Sequence, residues 1–213
     1  MDARLLHPFT LICSGPTGSG KTRFVKRLIT AGDTVIDGPP DNIIWLYGEY
    51  QDTYDEMKAG ISNIRFIEGF PQDLDSLIDP SVRNLVVIDD LMMECSNNSS
   101  VTNMFTKGSH HKNMSVIFIV QNLFLASKQF RTISLNAHYM ILFKNPRDNS
   151  QIIHLAKQIF PGRVKFVQES FMDATDHQYG YLLVDLRATT PEHLRLRTDM
   201  FQGLRQTVYV PRV

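Results

Sequence analysis

Eight consecutive residues, Gly15-Pro16-Thr17-Gly18-Ser19-Gly20-Lys21-Thr22, match the pattern G-x-x-x-x-G-K-[ST] in full. Glycines open backbone angles that are closed to other residues, so successive N–H groups can turn inward as a nest around phosphate oxygens. A helix starting at the loop adds the partial positive charge of its N-terminus. Lys21 is expected to reach the β- and γ-phosphates of ATP, and Thr22 to ligate magnesium (Mg2+). The apolar run Phe9–Cys13 enters the loop, and the amphipathic segment Ser19–Thr30 leaves it. That strand–loop–helix context is what the motif requires.

Two further strand ends carry polar groups. The run Asn84-Leu85-Val86-Val87-Ile88 ends in Asp89-Asp90. An acidic residue at such a position holds the magnesium of P-loop enzymes, and that role is expected of Asp89. Asp90 then stands where a carboxylate orients the attacking water, although an aspartate is one methylene shorter than a glutamate. The plainer reading is an acidic start to a turn. Ser115–Val120 ends in Gln121-Asn122, and Gln121 can hydrogen-bond a γ-phosphate or the lytic water, or simply terminate its strand.

Upstream lies Lys107-Gly108-Ser109-His110-His111-Lys112-Asn113. Adjacent histidines on an extended chain point opposite ways, and no further Cys or carboxylate stands at ligand spacing, so no metal site is expected there. A cation in this segment could reach a neighbouring subunit's nucleotide or DNA, or sit in a solvated basic loop.

These residues need a scaffold with strand ends on one edge. Apolar runs alternate with helical patterns throughout, as in βαβ units with a parallel sheet. Strands are expected at Phe9–Cys13, Asn42–Tyr47, Ile64–Ile67, Leu85–Asp89, Ser115–Val120 and Tyr139–Phe143. Helices are expected at Ser19–Thr30, Gln51–Ala59, Asp73–Ile78, Ser100–Lys107 and Asn149–Ile159. Tyr181–Asp185 and Leu194–Arg197 read as an antiparallel hairpin appended to the sheet. Residues 1–203 are expected to form the ATPase domain, and 204–213 a C-terminal tail that reaches a neighbour.

The chain has 213 residues, 43% of them apolar, enough for one α/β domain. No run approaches the ~18–20 apolar residues of a membrane span, and Met1-Asp2-Ala3-Arg4 lacks a signal-peptide pattern, so a soluble intracellular protein is expected. Cys13 and Cys95 show no CxxC spacing, which fits a reducing compartment. Lys+Arg and Asp+Glu are 22 each. Such balance argues against a tight single-copy DNA clamp, but leaves room for a ring with basic side chains in its pore.

With these segments placed, the chain resembles the FtsK–HerA branch of P-loop ATPases. More narrowly, it resembles the DNA-packaging ATPases of double-stranded DNA viruses and of Polinton (Maverick) elements, relatives of the poxvirus packaging ATPase. The resemblance rests on residues 15–22, Leu85-Val86-Val87-Ile88-Asp89-Asp90-Leu91, the stretch from Phe105 to Asn122, and Leu142-Phe143-Lys144-Asn145-Pro146-Arg147-Asp148. It implies a RecA-like core with a mainly parallel sheet, assembled as a homo-oligomeric ring expected to be a hexamer. It also implies that the ring threads double-stranded DNA into a capsid through a portal-like vertex, in the host cytoplasm or nucleus and on the virion. In that family a neighbour's arginine completes the site. Lys112 stands where arginine is expected, and Arg131 and Arg147 are the alternatives, with Arg147 preferred.

The expected activity is thus an ATP-driven motor on double-stranded DNA, with loops at Asn97–Asn103 and Lys107–Asn113 leaving the catalytic face to form its pore. A small-molecule or nucleoside kinase and a non-hydrolysing assembly switch would use the same loop. The kinase, however, calls for an arginine-rich lid that the sequence lacks.

Overall fold

Every residue of Thr10–Ser14, Asn84–Asp89, Met114–Val120, Tyr139–Phe143 and Tyr181–Asp185 is buried. Strands enclosed on both faces read as unbroken apolar runs because neither face meets water. The computed structural model describes residues 3–91, 99–108, 112–123, 128–148, 150–201 and 206–212, with backbone only at 99–100 and 107–108. Cys95, His110, His111 and residues 97–98 of the expected pore loop lie outside the described residues.

In chain order the strands are β1 (Leu5–Leu6), β2 (Thr10–Ser14), β3 (Ile36–Asp37), β4 (Asn42–Tyr47), β5 (Ile64–Glu68), β6 (Asn84–Asp89), β7 (Met114–Val120), β8 (Tyr139–Phe143), β9 (Tyr181–Asp185), β10 (Leu196–Thr198) and β11 (Thr207–Tyr209). The helices are α1 (Lys21–Ala31), α2 (Thr53–Gly60), α3 (Ser99–Asn103), α4 (Lys128–Leu135), α5 (Ser150–Ile159) and α6 (Val164–Ala174). A π-helical turn at Met104–Gly108 continues α3.

Among the described residues one sheet runs β11-β10-β9-β8-β2-β7-β6-β4-β5. From β5 to β8 all neighbours are parallel, whereas β9, β10 and β11 extend the sheet antiparallel. The strand ends are flush: Ser14 lies opposite Val120 and Leu142, Ile119 opposite Asp89, and Asp89 opposite Tyr47. The loops after β2, β4, β6, β7 and β8 therefore share one edge.

Alternation along each strand feeds two cores. Leu11 and Cys13 of β2 face one core with Phe24 and Leu28 of α1 and Tyr54 and Met57 of α2. Ile12 faces the other, with Val101, Phe130, Leu155 and Val167 from α3 to α6.

The α/β class, the mainly parallel sheet and the C-terminal antiparallel strands agree with the reading of the sequence. Several elements differ. Asp73–Ile78 holds only a 3-10 turn at Asp75–Leu77, while α4, α6 and the small β1–β3 pair are additions. Thr207–Tyr209 does not leave the domain as a tail: it pairs with β10 and becomes the edge strand of its own sheet.

The antiparallel strands carry one buried charge cluster. Asp185 (1% exposed) accepts hydrogen bonds from Arg187 and from Arg197 (2% exposed), each at 3.2 Å. Arg197 Nη1 also donates to the Ala3 carbonyl at 2.6 Å, tying the N-terminal segment to β10. Removing one partner of such a cluster strands buried charge. Asp185→Ala is expected to lower unfolding free energy by about 3–5 kcal/mol, measured by urea denaturation.

Candidate nucleotide-binding site

The phosphate loop joins β2 to α1 and has little room for side chains. A Cβ at Gly15 would fall 2.7 Å from both Phe143 Cβ and Ser19 Oγ, so only glycine fits. Gly20 adopts φ 101° as the residue before α1, and no side chain caps the helix. With no acidic residue in its first turn, the first N–H groups of α1 remain available to an anion. Lys21 Nζ donates to the carbonyls of Gly15 (2.7 Å) and Pro16 (3.0 Å), bracing the loop from within. Burial lowers the Lys21 pKa, and the charges of Asp89 and Asp90 act in the opposite direction.

Asp89 ends β6 with 3% exposure. Its Oδ2 accepts from the Tyr54 hydroxyl at 2.9 Å and faces Thr22 Oγ1 at 3.4 Å. Burial pushes its pKa from 3.8 up to about 6. The Tyr54 and Thr22 hydrogen bonds and the Lys21 charge pull the other way, while Asp90 adds to the rise. Tyr54 is fully buried on α2, stacked on Phe66 with ring centroids 4.9 Å apart. The sequence reading missed it. Its only sequence signal is that it forms the inward stripe of α2 with Met57.

Asp90 is held at φ 56°, a left-handed conformation uncommon outside glycine. Gln121 Nε2 donates to Asp90 Oδ1 at 3.1 Å, joining the ends of β6 and β7. Gly48, after β4, donates to the Asp89 carbonyl at 3.1 Å. A Cβ on Gly48 would come within 2.9 Å of the Asp90 carbonyl oxygen. That close approach leaves no room for a side chain at residue 48, and Glu49 and Tyr50 follow it at the rim.

The resulting cleft has a volume of about 460 Å3 and is lined by Thr17, Gly18, Gly20, Lys21, Thr22, Asp89, Asp90 and Gln121. Glu49, Tyr50, Gln51, Thr53 and Tyr179, which the sequence reading did not select, also line it. Gly15, Pro16 and Ser19 form the inner turn of the loop.

The candidate cations lie elsewhere. Arg147 is exposed after β8, where its N–H donates to Asn145 Oδ1, and it is not among the residues lining the cleft. Arg131 is exposed on α4. Lys112 pairs with Asp75 and precedes the amino end of β7, opposite the edge that carries the phosphate loop. The expectation that this segment leaves the catalytic face is thereby corrected for Lys112 and Asn113, because every parallel strand enters at the other edge.

The residues fit magnesium and a polyphosphate. Mg2+ takes one or two protein oxygens, several waters and phosphate oxygens. Thr22 Oγ1 and Asp89 Oδ2 supply two such oxygens beside uncapped helix N–H groups.

No protein-family model and no curated protein sequence matches this chain. Solved structures do. The DNA-packaging ATPase B204 from Sulfolobus turreted icosahedral virus is similar with TM-score 0.57 and 12% identity, over 97% of this chain and 100% of that one. The genome packaging NTPase B204 from Sulfolobus turreted icosahedral virus 2, solved with ATP-gammaS, gives TM-score 0.55 and 10% identity over 96% and 98%. The cytoplasmic domain of the Thermomonospora curvata Type VII secretion ATPase EccC gives 0.52 and 15% over 85% of this chain and 24% of that one.

The chain has a P-loop ATPase fold. In this P-loop ATPase fold the cleft occupies the carboxyl edge of the parallel strands, where open α/β sheets bind ligands. Among the described residues no helix is long and apolar enough to cross a membrane.

A raised carboxyl pKa has a definite sign. The folded chain binds the Asp89 proton more tightly than the unfolded chain, so this residue lowers stability as pH rises from about 4 to about 6. Asp89→Asn is expected to remove that contribution, of which about 1 kcal/mol falls between pH 5 and pH 7, measured as the difference between variant and wild-type denaturation at those two pH values. A magnesium ion held by Asp89 would require the carboxylate, so any magnesium-dependent ATP binding is expected to strengthen with pH through about 6. Tyr54→Phe should move that midpoint upward, because the lost hydrogen bond favours the charged form.

Proposed function

We propose that the chain is an ATP-hydrolysing motor that translocates double-stranded DNA, and that the work it does is packaging a viral genome into a capsid. One observation carries the hydrolytic part: the Thr22–Asp89 oxygen pair lies in the same cleft as the Asp90–Gln121 hydrogen-bonded pair. The first pair suits a metal-bound phosphate and the second suits a positioned water. The packaging part is supported by fold similarity spanning nearly the whole length of two viral packaging NTPases.

In this reading loop amides and Lys21 bind the phosphates, and Thr22 and Asp89 would hold magnesium. Magnesium, when bound, neutralises charge on the β- and γ-phosphoryl oxygens. Gln121 and Asp90 orient a water molecule toward the γ-phosphorus, and Asp90 accepts its proton as the bond to the bridging oxygen breaks. ADP and inorganic phosphate leave. Copies of the chain form a ring, expected to be a hexamer, in which a neighbour adds a further cation to Lys21 and Arg23 at the cleft. Arg147, exposed on the loop after β8, is the proposed donor.

Phosphate release, measured with and without duplex DNA alongside the size-exclusion mass, tests this directly. DNA-stimulated release by a large ring is the expected result. Transfer to a nucleoside would indicate a kinase, and binding without turnover an assembly switch. Asp90→Asn is expected to keep ATP affinity while turnover falls by about 100-fold or more. Asparagine tolerates the left-handed backbone, so this variant removes charge without new strain. Lys21→Ala is expected to abolish tight nucleotide binding, and unchanged affinity in a calorimetric titration would end the proposal.

A further inference from the structure

Strands β7 and β8 do not pair with each other. β2, which feeds the phosphate loop, lies between them, so their ends are about two strand spacings apart, roughly 9–10 Å. One side chain nevertheless joins the loops that leave them. Gln151, in the first turn of α5 and 9% exposed, accepts at Oε1 from the Leu123 N–H at 3.1 Å. Its Nε2 donates to Asp148 Oδ2 at 2.8 Å. Leu123 stands two residues beyond Gln121, and Asp148 directly follows Arg147. The bridge runs beside the phosphate loop, where Ser14, Gly15, Leu123, Asp148 and Gln151 border one cavity of about 30 Å3.

Helix capping alone does not account for this arrangement. Asp148 and Gln151 have the spacing of a capping box, in which the later side chain accepts from the backbone N–H of the earlier residue. Here the Asp148 N–H donates to the Asn145 carbonyl at 3.3 Å instead. The Gln151 oxygen is thereby released for Leu123. Asp148 accepts from the Ser150 N–H at 3.1 Å at the start of α5, and the Arg147 N–H donates to Asn145 Oδ1 at 3.1 Å. Arg147 therefore sits in a turn whose next residue is tied to Gln151.

The two partners dictate which way the Gln151 amide faces. A backbone N–H only donates, and an ionised carboxylate only accepts. Hydrogen bonds from Ser150 and then from Gln151 hold the Asp148 pKa below its usual value, so the group is ionised at neutral pH. Glutamate at position 151 would turn a second carboxylate toward Asp148. Leucine there would leave the buried Leu123 N–H without its acceptor.

We propose that Gln151 is a positioning residue for hydrolysis, holding the segment that carries Gln121 and the loop that carries Arg147 in one fixed relation across the phosphate-loop strand. Gln121 faces the chain's own cleft, and Arg147 is the donor offered to a neighbour, so the bridge links two sites of the ring. The inference rests on the hydrolytic reading above and deepens it.

Exchanging donor and acceptor tests it. Gln151→Glu sets two carboxylates face to face. Asp148→Asn sets two amide donors together, or turns over and loses Ser150. Combined, they rebuild the bond in the opposite direction, because an asparagine amide donates to a glutamate carboxylate. Each single variant is expected to keep its ATP affinity, read by calorimetry, within about twofold, since neither residue lines the phosphate cleft. Its DNA-stimulated turnover should fall about tenfold or more, as small misplacement of reacting groups costs. The double variant should return to within about threefold of wild type. Should Gln151→Glu fail to fold, as read by circular dichroism, Asp148→Asn against the double variant carries the same comparison. Unchanged turnover in folded single variants, or a double variant no better than either, overturns the bridge alone. Loss of ATP affinity in step with turnover does so too, because it marks a purely structural defect. A wild-type chain that binds ATP without hydrolysing it overturns the hydrolytic reading and this inference together.

Discussion

A carboxylate taken almost wholly out of water is costly unless its charge is met. The carboxyl edge of this sheet is arranged around Asp89, which is 3% exposed. One of its oxygens is approached by Tyr54 from α2 and by Thr22 from α1, with the Lys21 charge close enough to act on it. Two helices and the strand itself therefore converge on one atom. The compensation is incomplete, since the carboxyl still titrates near 6. A divalent cation between Thr22 and Asp89 would supply the charge that the chain withholds.

That convergence depends on strand order. β7 lies between the phosphate-loop strand β2 and the acidic strand β6. The inserted strand separates loop and carboxylate by about two strand spacings, roughly 9–10 Å. It also delivers Gln121 to the middle of the gap, in hydrogen-bonding reach of Asp90. The β4–β6 pairing, with Gly48 pressed against Asp90, closes the opposite wall. Three strand ends thus give the cleft an Asp89 wall, a Gln121 wall and a rim.

On the other flank the antiparallel strands do more than extend the sheet. Anchored by Asp185 and its two arginines, β9 and β10 carry Tyr181 and the chain leading to Phe201 beside α1. The formal charge of the whole chain is zero. Locally, however, Lys21 and Arg23 of α1 both line the phosphate cleft. Charge balance overall and charge concentration at the site are compatible because electrostatic recognition depends on local arrangement.

What the sequence determined by itself is chemistry set by local spacing. The glycine pattern of residues 15–22 defines its own backbone, and the apolar runs of β2, β6, β7 and β8 declare strands with no wet face. Asp89, Asp90 and Gln121 were legible because each directly ends such a run. The short edge strand was not legible: β11 has three residues and exists through pairing with β10. Lys112 was assigned to the wrong edge, although the direction of a parallel strand, once recognised, places its first residues away from the loop. Tyr54, Glu49 and Tyr179 could be chosen only in three dimensions. Tyr54 meets Asp89 from 35 positions away, and Tyr179 reaches Gly20 through a strained turn after α6. Motif chemistry is encoded by neighbours in the chain, whereas burial, compensation of charge and the shape of a cleft arise from residues that only packing makes neighbours.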